Sequence, residues 1–198
     1  MDIRYLGTEY GGWSVDLDLI NEGDFIIDAG LGEDVSFLEE ILKIKSVKIV
    51  GIDPTEKSHN FLASKDLGDF TLVKKCIAKE GVKTVEMFKN KNPNHVSESY
   101  FSDHSSTGGS EKYTVSCVSL REIIDQYHPS LVKIDIEGAE YDVLEECVGV
   151  KQICVEFHHH CIPSKTIKDT HECLNKLLCV GYRVIATHLD REFTLVKD

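Results

Sequence analysis

The sequence predicts an α/β fold: a mostly parallel sheet covered by helices on both faces. Three observations carry this. Short apolar runs alternate with segments of helical spacing along most of the chain, the pattern of strands joined by crossover helices. Three of the runs end in acids beside a glycine or proline, as in FIIDAG, IVGIDP and LVKIDIEG. The last two runs, YRVIATHL and EFTLVKD, flank a short acidic turn and read as a hairpin, so the final strand runs antiparallel.

Taken in order, residues 25–28 form a first strand that ends at a glycine turn. Residues 33–44 then place Val35, Leu38, Ile41 and Leu42 on one side of a helix. SVKIVGID is a second strand, and Thr55 after Pro54 caps a helix that ends near residue 64. DFTLVKKCIA is a third strand and VKTVEMF a further β-like run. Residues 91–112 are polar, rich in Ser and Gly, and without lasting periodicity. A loop of that length inside a compact domain is functional or disordered, and this one is a candidate lid or acceptor loop. YTVSCVSL is β-like, and Ser119 caps the helix LREIIDQY. LVKIDI and QICVEF are buried-type strands separated by the helix GAEYDVLEEC. The last helix covers 166–180, with Gly181 as its stop. No internal repeat is evident, and residues 1–198 read as one domain.

Composition narrows the function. The 198 residues are 41% hydrophobic and 28% charged, ordinary for a soluble globular protein. No apolar run approaches the ~20 residues of a membrane span, so no membrane partner is expected. MDIRYLGTEYGGW lacks the basic start and apolar middle of a signal peptide, so a cytoplasmic protein is expected. The seven cysteines include no CxxC pair and are expected to be free, with Cys117, Cys154 and Cys179 buried as small hydrophobes. A formal charge of −12 and the lack of a dense basic stripe disfavour nucleic-acid partners. The oligomeric state is left open.

In sheets of this kind ligands lie outside the carboxyl ends of the strands, near the point where strand order reverses. The turns to follow are those after Asp28, Asp53, Ala78, Asp135 and Phe157. The first carries Gly30 and Gly32, but Val35 stands where a dinucleotide fingerprint has its third glycine. Glu33 and Asp34 would also meet a pyrophosphate, and like charges ~5 Å apart cost on the order of 1–3 kcal/mol each. S-adenosyl-L-methionine is cationic and phosphate-free, so the same acids attract it. Asp53, about 25 residues after Asp28, is placed to accept from a ribose diol. Asp28, Gly30, Gly32, Glu33, Asp34, Asp53, Pro54 and Ala78 are therefore candidate cofactor residues. Tyr10, Gly11 and Gly12 join them, because paired glycines let backbone approach a ligand and Trp13 could cover it. The plainer reading is that the glycines serve only tight turning and the acids only the helix dipole.

The combination YGGW, IIDAGLGEDVSF, IVGIDPT and LVKIDIEGAEYDVL resembles the FkbM family of S-adenosylmethionine-dependent methyltransferases over about residues 5–158. KIDIEGAE is its most specific segment. GEDVSF and GIDPT look like a branch of the family in which an acid replaces the third motif glycine. The resemblance implies a class I methyltransferase (Rossmann-like) three-layer sandwich, with a seven-stranded sheet whose last strand is antiparallel. It implies O-methylation of a hydroxyl on a small molecule, sugar or glycan. By position it assigns Asp28, Gly30 and Gly32 to the cofactor turn and Asp53 to the ribose. It sets Asp135 and Glu137 beside the transferred methyl.

The chemistry is expected at two strand ends. Lys133, Asp135 and Glu137 alternate, so they share one side of a strand, and either acid could orient a hydroxyl or take its proton. Glu140, in the next helix's first turn, reads as a dipole partner. In VEFHHHC, Glu156 and His158 share a face, and His158 is a candidate general base. The His and Cys residues here, with His171 and Cys173 further on, match no trusted zinc spacing, and no metal is expected. His95, Ser97, Ser99 and Tyr100 are candidate acceptor contacts, and His104 and Ser105 read as solvated. Two other functions use the same fold: an NAD-dependent oxidoreductase, and a nucleoside-binding protein without chemistry.

Overall fold

A computed structural model of the protein describes residues 1–197. The chain opens with an antiparallel ribbon, β1 (Ile3–Leu6) and β2 (Trp13–Asp16). Three strands follow, β3 (Phe25–Ala29), β4 (Lys48–Ile52) and β5 (Phe70–Val73), joined by α1 (Ser36–Ile44) and α2 (Glu56–Leu62). A small three-stranded sheet comes next, built from β6 (Cys76–Ile77), β7 (Thr84–Phe88) and β8 (Lys112–Val118). The second half runs α3 (Leu120–Tyr127), β9 (Leu131–Ile134), α4 (Glu140–Val143), β10 (Gln152–Glu156) and α5 (Ile167–Cys179). It closes with the hairpin β11 (Tyr182–His188) and β12 (Glu192–Lys197).

Seven strands make the central sheet in the order β11-β12-β10-β9-β3-β4-β5. The last strand, β12, is antiparallel to both neighbours, and β3, β4, β5, β9 and β10 are mutually parallel. Side-chain alternation splits the core between the two faces. Ile27, Val132, Ile134 and Ile153 pack toward α3 and α5, whereas Ile26, Ile49, Leu131 and Cys154 pack toward α1 and the β1–β2 ribbon. Among the described residues no helix is long and apolar enough to cross a membrane.

Several elements differ from the sequence-based expectation. Helix α1 starts at Ser36 rather than residue 33. Gly32 adopts φ +55° and the Asp34 carboxylate accepts from the Ser36 amide, so residues 33–35 form a turn instead. The run 69–78 is two strands, because exposed Lys74 and Lys75 carry the chain out of the main sheet and onto β8. The segment after residue 139 is one short α-helix followed by a 3₁₀ turn, Leu144–Cys147. All seven cysteines are free; Cys117 and Cys154 are buried, but Cys179 is exposed at the end of α5. The caps read from sequence are present: Thr55 accepts from the Ser58 amide, Ser119 forms a capping box with Glu122, and Thr166 one with Asp169.

Candidate active site

The parallel strands bring their carboxyl ends to one edge, and strand order reverses between β3 and β9. A cavity of about 490 Å³ opens at that point. Its walls are the turn 30–34, the end of β4 at Asp53 and Pro54, residues from the 96–106 segment, the ends of β9 and β10, and the β11–β12 turn.

The turn after β3 is shaped by two left-handed glycines, Gly30 (φ +86°) and Gly32 (φ +55°). A Cβ on Gly30 would lie 1.6 Å from the Asp135 carbonyl oxygen, so only glycine lets this turn lie against the end of β9. The Gly32 amide donates to Asp53 Oδ2 at 3.1 Å. Asp53 Oδ1 accepts from the amide (2.8 Å) and hydroxyl (2.6 Å) of Thr55. The backbone donor that would meet a pyrophosphate is thus taken by a carboxylate. Asp53 Oδ2, with one protein donor, keeps capacity for a ligand hydroxyl.

Glu33, Asp34, Tyr10 and Gly11 also line the cavity. Burial opposes the charge on Asp34, but bonds from Ser36 and Thr8 hold its pKa below the usual value. Gly12 and Trp13 lie off the wall. Trp13 is buried with Leu6 and Val15, so it packs the ribbon onto the sheet instead of lining the cavity. Asp28 lies behind the wall, where its carboxylate sits 3.0 Å from the Lys133 ammonium, which in turn donates to the Gly30 carbonyl at 2.7 Å. Burial raises Asp28 to a pKa of about 6 even beside that ammonium. Asp28 therefore supports the turn from beneath. Ala78 is buried with Met87 and Cys117, and Cys76 and Ile77 face the cavity in its place.

The opposite wall is a charged cluster. Strand pairing ends as the Asp135 amide donates to the Ala29 carbonyl at 2.9 Å. Glu137 then turns left-handed (φ +53°), yet Lys133, Asp135 and Glu137 all line the cavity as the alternation implies, with the buried Lys133 ammonium 3.7 Å from Asp135 Oδ2. Glu140 stands in the first turn of α4 as expected, and it is fully buried there. It accepts from the Gly138 amide (2.8 Å), the His158 amide (2.9 Å) and His158 Nδ1 (2.9 Å). His158 Nε2 then faces Asp135 Oδ1 at 3.5 Å and Glu137 Oε2 at 3.6 Å. Burial lowers the pKa of His158, but Glu140, Glu137 and Asp135 outweigh it and hold the ring well above its ordinary value. Burial also opposes the charge on Glu137, yet bonds from His104 and Ser97 and the charge on His158 bring it to about 2. Glu156, 3.1 Å from Arg191, is raised to about 8 by burial and by the charge on Asp135.

The 91–112 segment forms a wall rather than a detached loop. Val96, Ser97, Glu98, Tyr100, His104 and Ser106 line the cavity. Ser99 is buried and donates to the Glu137 carbonyl at 2.6 Å, and Tyr100 donates to Asp142 at 3.1 Å. His95 is exposed and outside the cavity. Ser105 is exposed, but His104 is buried and bonds Glu137 through Nε2 at 3.0 Å, against the expectation of a solvated ring. Cys161 Sγ lies 3.2 Å from the same nitrogen. Sequence reasoning misses Glu140, His104, Cys161 and Arg191. For Glu156 the period-two match with His158 is a usable signal.

A family model described as the methyltransferase FkbM domain matches residues 27–184. The chain belongs to this family. Among solved structures it is similar to the fibrillarin/Nop5p complex, with a TM-score of 0.51 and 9% identity over 90% of this chain and 74% of that one. It also matches a Streptococcus pneumoniae protein assigned as a tRNA (m1A22) methyltransferase, solved with S-adenosyl-L-methionine (TM-score 0.46, 8% identity, 92% and 71% covered). The C-terminal domain of precorrin-6Y C5,15-methyltransferase from Rhodobacter capsulatus matches with TM-score 0.44 and 12% identity, over 91% and 83%. At these identities the first likeness shows the fold alone, a class I methyltransferase sheet. No curated protein sequence matches significantly. This FkbM methyltransferase takes S-adenosyl-L-methionine as cofactor. Its cavity fits that molecule: the size is adequate for a small ligand, the rim is acidic, and the glycine-turn amide is closed to phosphate by Asp53.

Proposed function

We propose that this FkbM methyltransferase methylates a hydroxyl on a small molecule, sugar or glycan. The observation that carries the reading is the position of Asp135, Glu137, Glu156 and His158 on the same cavity as the glycine turn. In this reading Tyr10, Gly11, Gly30, Gly32, Glu33, Asp34, Asp53 and Pro54 hold the cofactor. S-adenosylmethionine supplies a methyl group already activated by its sulfonium. The protein must align the acceptor oxygen and take its proton, since a hydroxyl is a weak nucleophile until that proton leaves.

With no ion bound, the carboxylates around His158 favour its protonated form, and that positive charge helps keep Glu137 ionised. In that ion-free state the proton passes to Asp135, whose pKa burial raises above the usual carboxylate value. Ser97 and Tyr100 supply acceptor contacts from the 91–112 wall. The net charge of −12 supports a small neutral or cationic acceptor over a nucleic acid.

The test is S-adenosylhomocysteine formation with panels of sugars, polyols and phenols, set beside amines and RNA. Asp135→Asn is expected to keep S-adenosylhomocysteine affinity within about tenfold while turnover falls on the order of 100-fold. Turnover confined to amines or RNA would remove the hydroxyl reading.

A further inference from the structure

We infer that Asp135, Glu156 and His158 form a binding site for one divalent transition-metal cation at the acceptor end of the cavity, with Glu137 beside it. One donor atom from each of the three side chains falls within 4.8 Å of the others. Ligand bonds of ~2.1 Å put neighbouring donors on one tetrahedral ion roughly 3.4 Å apart. The 3.5 Å from His158 Nε2 to Asp135 Oδ1 matches that spacing, and Glu156 stands farther off, within the 4.8 Å that an ion would draw in.

A second observation comes from His158 itself. The ring is 4% exposed, and Nδ1 is fixed by the buried Glu140 carboxylate at 2.9 Å. A carboxylate behind Nδ1 is the arrangement that aims Nε2 at a metal. Among the described residues no hydrogen bond reaches Nε2, although it faces the cavity. Charge points the same way. Asp135, Glu137, Glu140 and Glu156 surround the His158 imidazole, the Arg191 guanidinium and the Lys133 ammonium, which lies 3.7 Å from Asp135, and the formal balance stays negative even with the imidazole protonated; an ion would displace the proton on Nε2.

A neighbouring group, His104, Glu137 and Cys161, is equally compact. Its histidine is turned the wrong way. His104 Nδ1 accepts from the Ser106 amide at 3.2 Å, so the proton of the neutral ring lies on Nε2, the atom that faces Glu137 and Cys161. The ion is therefore assigned to His158 and its acids. One nitrogen with carboxylate oxygens suits Mn²⁺ or Zn²⁺ better than Mg²⁺, which prefers oxygen alone. A hydroxyl that reached such an ion from the cavity would have its pKa lowered. That role rests on the hydroxyl-acceptor reading, whereas binding of the ion does not.

The experiment is titration of the full, chelator-stripped chain with Mn²⁺, read by electron paramagnetic resonance and calorimetry. One equivalent is expected to bind. Asp135→Asn and Glu156→Gln, which keep side-chain volume, should each weaken binding tenfold or more, with folding checked by circular dichroism. Three results would overturn the site: no saturable binding by the folded wild type, affinity unchanged in both variants, or affinity lost in Cys161→Ser but kept in the two acid variants. Failure to find a hydroxyl acceptor would leave the Mn²⁺ titration standing, so the two failures are distinguishable.

Discussion

Glu140 grips His158 twice, its Oε1 accepting from the backbone amide and from Nδ1, each at 2.9 Å. Its Oε2 accepts from the Gly138 amide at 2.8 Å, so one buried carboxylate joins the β9 turn to the end of β10. Glu140→Gln replaces an oxygen with an NH₂ that must face a donor. Loss of about 1–3 kcal/mol of stability is expected, read by urea unfolding. Turnover should fall roughly 10- to 100-fold, because His158 loses its orientation. S-adenosylhomocysteine affinity should change little, since Glu140 lies outside the cavity wall. An unchanged turnover number would show that the grip has no part in catalysis.

What the sequence shows and hides follows from the range of the interactions. Gly30, Asp53 and Asp135 are legible because strand-end glycines and acids report a local geometry that recurs wherever a parallel sheet ends. Glu140 is not, because a first-turn acid looks the same whether it faces water or lies beneath another strand. His104 sits in an aperiodic polar stretch, and its partner Glu137 is 33 positions away. No pattern of period two or 3.6 joins them. Trp13 follows two glycines and reads as a cover, yet its place on β2 buries it against the sheet. The small β6–β8–β7 sheet escapes for a related reason: its hairpin partners are separated by the whole 91–112 wall.

Lys133 and Asp28 form a buried ion pair at 3.0 Å across the β3–β9 register. Removing one partner strands the other's charge. Lys133→Met is expected to cost on the order of 3–5 kcal/mol, measured by chemical denaturation. It should also loosen the cofactor turn, because Lys133 no longer donates to the Gly30 carbonyl. The double variant Lys133→Met with Asp28→Asn should recover part of the stability, since no unpaired charge is left. A double variant no more stable than the single would mean that the carbonyl bond, not the ion pair, carries the effect.

Gly30 and Gly23 separate backbone conformation from close packing. Both have positive φ, +86° and +82°, but a Cβ on Gly23 would meet nothing within 4 Å, while one on Gly30 would lie 1.6 Å from the Asp135 oxygen. Gly23→Ala should show the conformational cost alone, about 1–2 kcal/mol, or a fall in Tm of a few degrees. Gly30→Ala must displace the Asp135 peptide, so it should abolish S-adenosylhomocysteine binding or prevent folding. Equal Tm losses with normal binding in both would mean that the contact between turn and strand is dispensable.

Asp53 divides its carboxylate between the glycine turn and the start of α2. Oδ1 is committed to Thr55 and Oδ2 to Gly32, so the residue shapes the glycine turn and the start of α2 before any cofactor arrives. Asp53→Ala removes both bonds and the proposed acceptor for the ribose. Loss of a charge-assisted bond worth roughly 1.5–3 kcal/mol should weaken S-adenosylhomocysteine binding on the order of 10- to 100-fold by calorimetry. Asp53→Asn keeps an oxygen for Thr55 but turns an NH₂ toward the Gly32 amide. Binding should therefore fall in the asparagine variant too, with the start of α2 less disturbed than in the alanine one. Near-normal affinity in both would mean that the ribose finds its acceptor elsewhere, with Glu33 the next acid on the same wall.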